Sequence, residues 1–403
     1  MLRWTWMAIC LLLLVPVVGL AGCARADKPA LAAEYPELGF TILDWHIGDN
    51  EWSADGAWIA YPKRNPRDWY FDVWIVRPDG TDKRCLTCGE TTPQRNSGSV
   101  TWHPAGEFLV FTAQNEDTSG KLMDSMAQPG IGLNCNLWAM TPGDAPDGAR
   151  AWQLTHIPTD ARAPKGIIHP QFSHDGTRLF WAEAMGRYSK EPGLEWGEWS
   201  LGLADFVITG GVPRLENVRH LQPGESPRFY ESHSWSPGDT HILFTANPEA
   251  EHPPNGLDVY TLDVRTETLT RLTHTPRDWD EHAHYSPDGA TIAWMSGAEL
   301  NVHFPSVRWP GWVEYVTTEL WLMDVKDALQ GTDGANPRRI TFFNQPDHPH
   351  HAWLQEITGG TDRAIVSDSS WSPDGQQIVL TLAYEAEKVP GGINSLLVLM
   401  DLK

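Results

Sequence analysis

Histidine and carboxylate residues recur at fixed offsets from a short repeated turn in this sequence. The turn is typically Ser-Pro-Asp-Gly, and the positions four and two residues before its serine, or the equivalent residue, carry these side chains. Imidazole and carboxylate together suit a divalent metal such as Zn, Mn or Fe. A polar channel lining with bound water is the alternative use of the same residues. The candidate metal ligands at these offsets are Asp49, Glu51, His169, His282, His284 and Asp368.

Further residues near these positions extend the candidate site. His233 lies one residue out of phase, Glu281 precedes His282, and His350 follows the last Ile-Thr segment. These are possible ligand contacts. Arginines in long loops could meet an anionic ligand, although loop arginines are commonly just solvated. The arginine candidates are Arg187, Arg277 and Arg308.

The elements that must position these residues are short strands of a repeat. In each copy an aromatic residue leads into the turn, and an alternating apolar strand follows. Proline fixes φ, aspartate caps its own backbone and glycine accepts a positive φ, so the pattern predicts a hairpin. Six copies occur, with turns at residues 52–56, 102–106, 172–176, 235–239, 285–289 and 371–375.

A third strand and a fourth strand follow the hairpin in most copies. The third is apolar, as in Val73–Val76, and the fourth ends in Leu-Thr or Ile-Thr, as in Arg271–Thr273. Residues 199–222 of the third copy lack this ending. Four antiparallel strands repeated radially form a propeller blade. We therefore predict an all-β fold, a six-bladed β-propeller of four-stranded antiparallel blades.

The last copy reaches the end of the chain after its third strand. The segment Gly39–Leu43 is available as the missing fourth strand, so an N-terminal strand is predicted to close the ring and remove an exposed sheet edge. The stretch 343–364 is long enough to hold part of a seventh blade, although it carries no repeat motif.

Blade geometry assigns the loops to two faces. The first strand of each blade lines the channel and begins at the face that carries the long insertions. Because residues two apart on a strand share a side, the candidate ligands are expected to converge at that mouth of the channel. The insertions are residues 113–136, 183–198, 247–257, 296–317 and 343–364.

These motifs resemble those of the TolB-like, WD-repeat-like β-propellers over residues 38–403. The resemblance implies a rigid disc that chiefly binds protein partners. Similar propellers also serve as metal-dependent lyases, such as oligogalacturonate lyase, where a metal acidifies a sugar-acid proton for β-elimination. Fold alone does not choose between functions. Three functions stay open: a binding scaffold, a metal-dependent lyase or hydrolase acting on an acidic saccharide, and an accessory subunit of a membrane complex.

Residues 1–22 are interpreted as a lipoprotein signal peptide. Their apolar run, from Met7 to about Leu20, is short for a membrane span. The sequence Leu20-Ala21-Gly22-Cys23 resembles the lipobox of bacterial lipoproteins, which implies acylation of Cys23. Residues 23–37 then form a flexible tether. We expect a bacterial cell-envelope protein, lipid-anchored to a membrane on the periplasmic or outer-membrane side, with an envelope protein as its partner.

Three cysteines remain after Cys10 leaves with the signal and Cys23 takes lipid. Cys88 and Cys135 lie on the insertion-bearing face of neighbouring blades, and we predict a disulfide between them. Cys85 is then a buried thiol, and a Cys85–Cys88 bridge is the competing pair. The sequence after Cys88 lacks the histidine of a c-type haem site, so haem is excluded.

Composition excludes one class of partner. The net charge is −22, which repels the phosphate backbone and makes nucleic-acid binding unfavourable. The sequence shows no phosphate loop, nucleophile elbow or dinucleotide fingerprint.

Overall fold

The computed structural model describes residues 39–118, 120–143, 149–188, 197–224, 228–248, 256–275, 278–300, 316–329, 336–386 and 393–402. Within these ranges, 24 strands form six sheets of four antiparallel strands each. The predicted all-β, six-bladed propeller is confirmed. The predicted signal peptide, the tether and Cys23 lie outside the described residues.

The first strands of the six blades surround the channel. Each contacts the first strand of the next blade, and the last contacts the first, so they form a closed inner ring. Blades 1 to 6 are numbered by these strands. They are β2 (Glu51–Trp52), β6 (Ser97–Trp102), β10 (Gly166–Phe172), β14 (Tyr230–Trp235), β18 (Asp280–Tyr285) and β22 (Ala364–Trp371).

The remaining strands follow outwards in each blade. The second strands are β3 (Ile59–Arg64), β7 (Leu109–Gln114), β11 (Arg178–Ala184), β15 (His241–Ala246), β19 (Thr291–Ser296) and β23 (Gln377–Glu385). The third strands are β4 (Phe71–Val76), β8 (Cys135–Met140), β12 (Trp199–Thr209), β16 (Asp258–Asp263), β20 (Glu319–Asp324) and β24 (Ile393–Asp401). The outermost strands are β5 (Arg84–Cys85), β9 (Ala151–Gln153), β13 (Val212–Leu221), β17 (Leu269–Arg271), β21 (Arg338–Arg339) and β1 (Phe40–Trp45).

The N-terminal strand closes the ring as predicted. β1 pairs antiparallel with β24, from Phe40 opposite Met400 to Trp45 opposite Leu396. Asp44 of β1 accepts hydrogen bonds from Tyr61 Oη (2.7 Å) and Lys63 Nζ (2.6 Å) of blade 1. The closing strand therefore completes blade 6 and is bound to blade 1 as well.

The repeated turn joins the first and second strands and has the same hydrogen bonds in most blades. In blade 5, Ser286 Oγ donates to Asp288 Oδ1 (2.6 Å) and accepts from the Thr291 N–H (3.0 Å). The same two bonds form at the turn serines of blades 1, 3 and 6. In every blade except blade 4, the turn glycine has φ near +70°, which only glycine adopts readily. This turn chemistry explains why the repeat was visible in the sequence.

Apolar packing between neighbouring blades forms the core. Trp102 of blade 2, for example, belongs to a cluster with Ala60, Val73 and Ile75 of blade 1. Trp235 of blade 4 stacks edge-on against Phe180 of blade 3, with 5.5 Å between ring centroids. In the described part of the chain, neighbouring blades thus bury apolar faces against each other, as adjacent units of a repeat protein do.

Three short helices lie in the described part of the chain: α1 (Lys121–Met126), α2 (Val325–Leu329) and α3 (Pro349–Thr358). The last occupies the 343–364 stretch, so that insertion contributes a helix, while the described sheets number six. Among the described helices, none combines the length and the apolar character needed to cross a membrane.

The predicted Cys88–Cys135 disulfide is wrong, because Cys85 and Cys88 are bonded to each other and Cys135 is a buried free thiol. Cys135 begins β8 in the interior, where its Sγ faces the carbonyl oxygens of Ala127 and Leu133. Cys88 is exposed at the outer edge of blade 1. The Cα atoms of Cys85 and Cys88 are 5.8 Å apart, a separation that suits a disulfide.

Candidate functional site

A β-bulge interrupts the inner strand of five blades at the same place. The pairing register shifts in β6, β10, β14, β18 and β22, close to the position four residues before the turn serine. Three bulge residues, Ser99, His169 and His282, have left-handed backbones with φ of 43°, 47° and 48°. Such conformations are uncommon for residues other than glycine and cluster at functional sites. A bulge re-aims side chains, so the simple alternation of a strand fails here.

Three imidazoles converge where these bulges meet. His169, His233 and His282 come from blades 3, 4 and 5, and each offers a ring nitrogen within 4.8 Å of the other two. The ring of His282 lies 5.1 Å from that of His169 and 5.4 Å from that of His233, centroid to centroid. His284 lies farther out, 6.4 Å from His233. The bulge brings His233 into the group although its sequence position is out of phase.

Carboxylates border the imidazoles on two sides. Glu231 Oε1 lies 2.8 Å from His169 Nδ1 and 3.8 Å from His282 Nε2, and Glu281 Oε2 lies 4.0 Å from His282 Nε2. On the other side, Asp368 Oδ1 is 3.5 Å from His282 Nδ1. His282 therefore sits between carboxylates of three different inner strands.

The wall of the pocket also includes Asp49 of blade 1 and its neighbours. Asp49 Oδ2 is 3.7 Å from His169 Nε2, and Asp368 accepts a hydrogen bond from the Asn50 N–H (2.8 Å). The residues that line the pocket are Asp49, Asn50, Val100, His169, Gln171, Ser232, His233, His282, His284 and Asp368.

Burial and mutual charge give these groups unusual protonation states. Burial alone would lower the pKa of His282, but Asp368 and Glu231 outweigh it and raise that pKa to about 10. Burial would likewise raise the pKa of Glu231, but His169 and His282 lower it to about 2. Burial also lowers the pKa of His233, helped by the charge of His282. His233 is thus held neutral, with its Nε2 hydrogen-bonded to Thr245 Oγ1 at 2.6 Å, while His282 carries a proton that a bound cation would displace.

The second glutamate of the group has the opposite tendency. Burial raises the pKa of Glu281 well above its usual value, and the neighbouring negative charge of Glu231 adds to the effect. Burial raises the pKa of Asp49 as well, against the charge of His169. On the opposite wall, burial would raise the pKa of Asp368, but the imidazoles of His282 and His284 hold it well below its usual range. Burial and neighbouring charges therefore shift the pKa values of these carboxyl groups in opposite directions.

The position that precedes these candidate ligands on the inner strand differs between blades. Five residues before the turn serine, blades 4 and 5 carry Glu231 and Glu281, while blades 1 and 2 carry Gly48 and Gly98. A Cβ at Gly98 would lie 2.6 Å from Pro129, and one at Gly48 would lie 2.8 Å from it. Pro129, in the loop after α1, therefore packs closely against Gly48 and Gly98. Blades 1 and 2, which carry these glycines, lie across the ring from blades 4 and 5, which carry the two glutamates.

Five of the six predicted metal ligands line this pocket, and so does His233. Glu51 does not, because its Oε1 accepts hydrogen bonds from Thr101 Oγ1 (3.1 Å) and the Trp102 N–H (3.2 Å) of blade 2. Burial raises its pKa to about 8. Glu51 thus joins two blades.

Other predicted contacts lie elsewhere. The guanidinium of Arg187 is 75% exposed and pairs with Glu198 (3.0 Å). His350 packs edge-on against Phe40 of the closing strand (4.8 Å between centroids) and accepts the Phe342 N–H at Nδ1 (3.2 Å). Burial lowers its pKa to about 3. Arg277 and Arg308 fall outside the described residues.

Glu231 is the important residue that the sequence analysis missed. It precedes the turn serine by five residues, the same offset as Glu281 in the next blade. This shared offset was the available signal. It was overlooked because strict alternation places that position on the opposite side of the strand from the offset that carries His169 and His282.

Solved structures superpose on this chain with TM-scores below 0.5. A proposed TolB from Agrobacterium tumefaciens superposes with a TM-score of 0.42 at 18% identity, over 76% of this chain and 75% of that one. Six four-stranded blades form a closed ring in this chain, so the fold is a six-bladed β-propeller. Oligogalacturonate lyase from Vibrio parahaemolyticus superposes with a TM-score of 0.45 at 12% identity, over 91% of this propeller and 97% of the lyase.

Sequence comparison finds distant relatives. Dipeptidyl-peptidase 5 of Porphyromonas endodontalis is 23% identical over 297 residues, which is 65% of this propeller chain. The matched region spans 38% of that peptidase. No family model matches the chain.

Proposed function

We propose that this TolB-like propeller binds a divalent metal ion in its channel and, through the metal, an anionic ligand. The observation that carries the proposal is the convergence of His169, His233 and His282, whose ring nitrogens lie within 4.8 Å of one another. Three imidazoles with a nearby carboxylate are a ligand set typical of Zn, Mn or Fe. Glu231 would orient His169 and complete the charge balance.

An acidic saccharide is the ligand class we favour. Three protein ligands leave a coordination position open, where an anionic oxygen of the ligand can bind. The metal would supply Lewis acidity toward that oxygen and acidify a neighbouring C–H or water. Glu231 and Glu281, whose carboxylates lie 3.8 Å and 4.0 Å from His282 Nε2, would be the acid–base groups beside the metal. A metal-dependent lyase or hydrolase is thus the enzymatic form of this proposal.

Metal titration of the purified chain tests the proposal. The protein is stripped with a chelator, desalted, and titrated by calorimetry with Zn²⁺, Mn²⁺ and, without oxygen, Fe²⁺. We expect one ion per chain, and loss of binding in the double variant His169→Ala/His233→Ala. His350→Leu is the matched control, because His350 is a buried histidine outside the pocket. A wild-type chain that binds none of these ions stoichiometrically would refute the metal site.

The ligand is tested separately with the metal-loaded chain. Oligogalacturonate is a suitable acidic saccharide, and the ultraviolet absorbance of an unsaturated product reports elimination. Binding without absorbance change supports a binding protein, and product formation that requires the metal supports the lyase. Failure to bind any acidic saccharide, with the metal in place, would remove this ligand class.

Partner binding at the cell envelope is the second candidate function. The hairpin of β12 and β13 exposes Ile208, Val212 and Val218, which are 40–48% accessible, on the outer strands of blade 3. Exposed apolar side chains along an edge strand often mark a docking surface. Lipid on Cys23 would hold the disc at a membrane, where such a partner would reside.

A pull-down from solubilised membranes tests the second candidate. A defined envelope protein should be retained by the wild-type chain and lost with Val212→Lys/Val218→Lys. Mass spectrometry of the mature N-terminus tests the lipid at the same time. An unmodified Cys23 would remove the anchor from the proposal.

A further inference from the structure

The disulfide between Cys85 and Cys88 lies far from the channel, on the outer edge of blade 1. Cys85 ends β5 and is half-buried, while Cys88 is exposed three residues later. The bond closes a very short loop, so it restricts the unfolded chain much less than a long-range disulfide does. An exposed bond of this kind is accessible to attack by a thiolate.

A carboxyl group stands beside the two sulfur atoms. A carboxylate oxygen of Asp72 and both Sγ atoms all lie within 4.8 Å of one another. Asp72 is half-buried in β4, where it accepts hydrogen bonds from Thr87 Oγ1 (3.1 Å) and Asn65 Nδ2 (3.2 Å). Burial raises the pKa of Asp72, so it holds a proton more readily than an exposed aspartate. The outer edge of blade 1 thus pairs a disulfide with a fixed acid.

The backbone also favours one sulfur as the leaving group. The Cys88 N–H points to Cys85 Sγ, with 3.1 Å between nitrogen and sulfur. A backbone N–H in this position stabilises a thiolate on Cys85. Cys88 is the accessible sulfur for an incoming nucleophile, and Cys85 is the sulfur prepared to leave.

We propose that Cys85 and Cys88 form a thiol–disulfide exchange site that accepts two electrons from a substrate dithiol, with Asp72 as its proton donor. A substrate thiolate attacks Cys88 Sγ, the Cys85–Cys88 bond breaks, and its electron pair passes to Cys85 Sγ, which takes the Asp72 proton. The second substrate thiolate then attacks the substrate sulfur of the mixed disulfide and releases Cys88 as a thiolate, which is protonated by solvent. One protein disulfide is reduced and one substrate dithiol is oxidised.

This site is independent of the proposed metal function, since its residues belong to the outer strands of one blade. The substrate class is an exposed dithiol of a peptide or protein. In the reverse direction the same site, once reduced, transfers electrons to a substrate disulfide.

The rate at which the native disulfide opens tests the proposal. The full chain is treated with dithiothreitol, and the thiols of Cys85 and Cys88 are counted by alkylation and peptide mass spectrometry while the fold is followed by circular dichroism. We expect opening without unfolding. Asp72→Asn should slow it by about tenfold or more near neutral pH, because the departing thiolate loses its proton donor. The variant's rate should then follow the ionisation of the reagent alone.

Asp68→Asn is the matched control. Asp68 lies near enough to influence Asp72 electrostatically, but the carboxylate beside the sulfurs is that of Asp72. Its opening rate should equal that of the wild type. Cys85→Ser should form a mixed disulfide at Cys88 with oxidised glutathione, and Cys88→Ser should react more slowly. A disulfide that opens only when the fold melts, or equal rates in both aspartate variants, would show a purely structural bond and overturn the proposal.

Discussion

The two ends of each inner strand differ sharply although they are only a few residues apart. At the turn end, four blades form the same pair of serine hydrogen bonds, as Ser286 does with Asp288 and Thr291. At the channel end, the corresponding positions hold Asp49, Ser99, His169, Ser232, His282 and Asp368. The turn ends have nearly the same sequence and hydrogen bonds in most blades, whereas the residues at the channel ends differ from blade to blade.

This contrast separates what builds the ring from what acts in it. A turn repeated in nearly every blade has no reason to create a unique site. Chemistry requires different side chains from different blades, as where His282 lies between Glu231 and Asp368. The six inner strands therefore have similar sequences at the turn end and different side chains at the channel end.

The largest expected effect comes from making the channel end of blade 5 like its neighbours. His282→Ser copies the residue found at this position in blades 2 and 4, Ser99 and Ser232. We expect metal affinity to fall by on the order of 10²-fold, because a ligand is lost while the strand keeps a tolerated residue. Calorimetric titration measures this. An unchanged affinity would mean that His282 is not a ligand.

A substitution at the turn end of the same strand should change the stability of the fold and leave the metal affinity unchanged. Ser286→Ala removes the bonds to Asp288 and Thr291. We expect the free energy of unfolding to fall by about 1 kcal/mol, with metal affinity unaltered. Urea denaturation and calorimetry on the same sample test both parts. If Ser286→Ala also lost metal binding, the turn end and the channel end would not have separate roles.

Relief of backbone strain at the bulge should instead increase the free energy of unfolding. Ser99 has a left-handed backbone with φ of 43° and is held by the contact of its N–H with Asp49 Oδ1 (3.2 Å). Ser99→Gly should raise the free energy of unfolding by about 1 kcal/mol, because glycine adopts this φ without strain. Ser97→Gly, two residues earlier on β6, should lower it instead. Equal changes in the two variants would argue against strain at the bulge.

The smallest expected effect concerns pH at the turn. The Ser286 hydroxyl and the Ala290 N–H lower the pKa of Asp288 below 3.8. A lowered folded-state pKa stabilises the fold above the ordinary carboxyl pKa, and that contribution disappears as pH falls through the lowered value. Asp288→Asn should therefore destabilise by a few tenths of a kcal/mol near neutral pH, since water screens this exposed group. Melting curves should coincide at low pH; a gap that persists there would exclude the charge as its cause.

The ring was predictable because its signal is local and repeated. Turn residues within five positions of one another determine each hairpin, and the absent fourth strand pointed to Gly39–Leu43. The convergence of His169, His282 and Asp368 on one pocket followed from the same phase. Glu231 escaped because a bulge changes which side chains face the channel, and a bulge leaves no clear mark in a single sequence.

The wrong predictions were those that inferred spatial proximity from sequence spacing alone. Cys88 and Cys135 were placed on one face of adjacent blades, but Cys135 is inside the sheet and Cys88 is on the rim. Glu51 shares the strand phase of the ligands, yet its carboxylate is used by Thr101 of the next blade. Side-chain direction and competing hydrogen-bond partners depend on the packed neighbours.

The closing strand has a consequence for how the molecule is made. The Ser395 hydroxyl bonds to the Ile47 carbonyl across 348 residues of sequence, and the strand pairing of β1 with β24 forms only once β24 exists. At ordinary rates of synthesis the first strand waits on the order of a minute for the last. Contacts between such distant residues slow folding. The ring is therefore completed only when the final strand arrives, and an incomplete chain offers two open sheet edges to whatever protein meets it first.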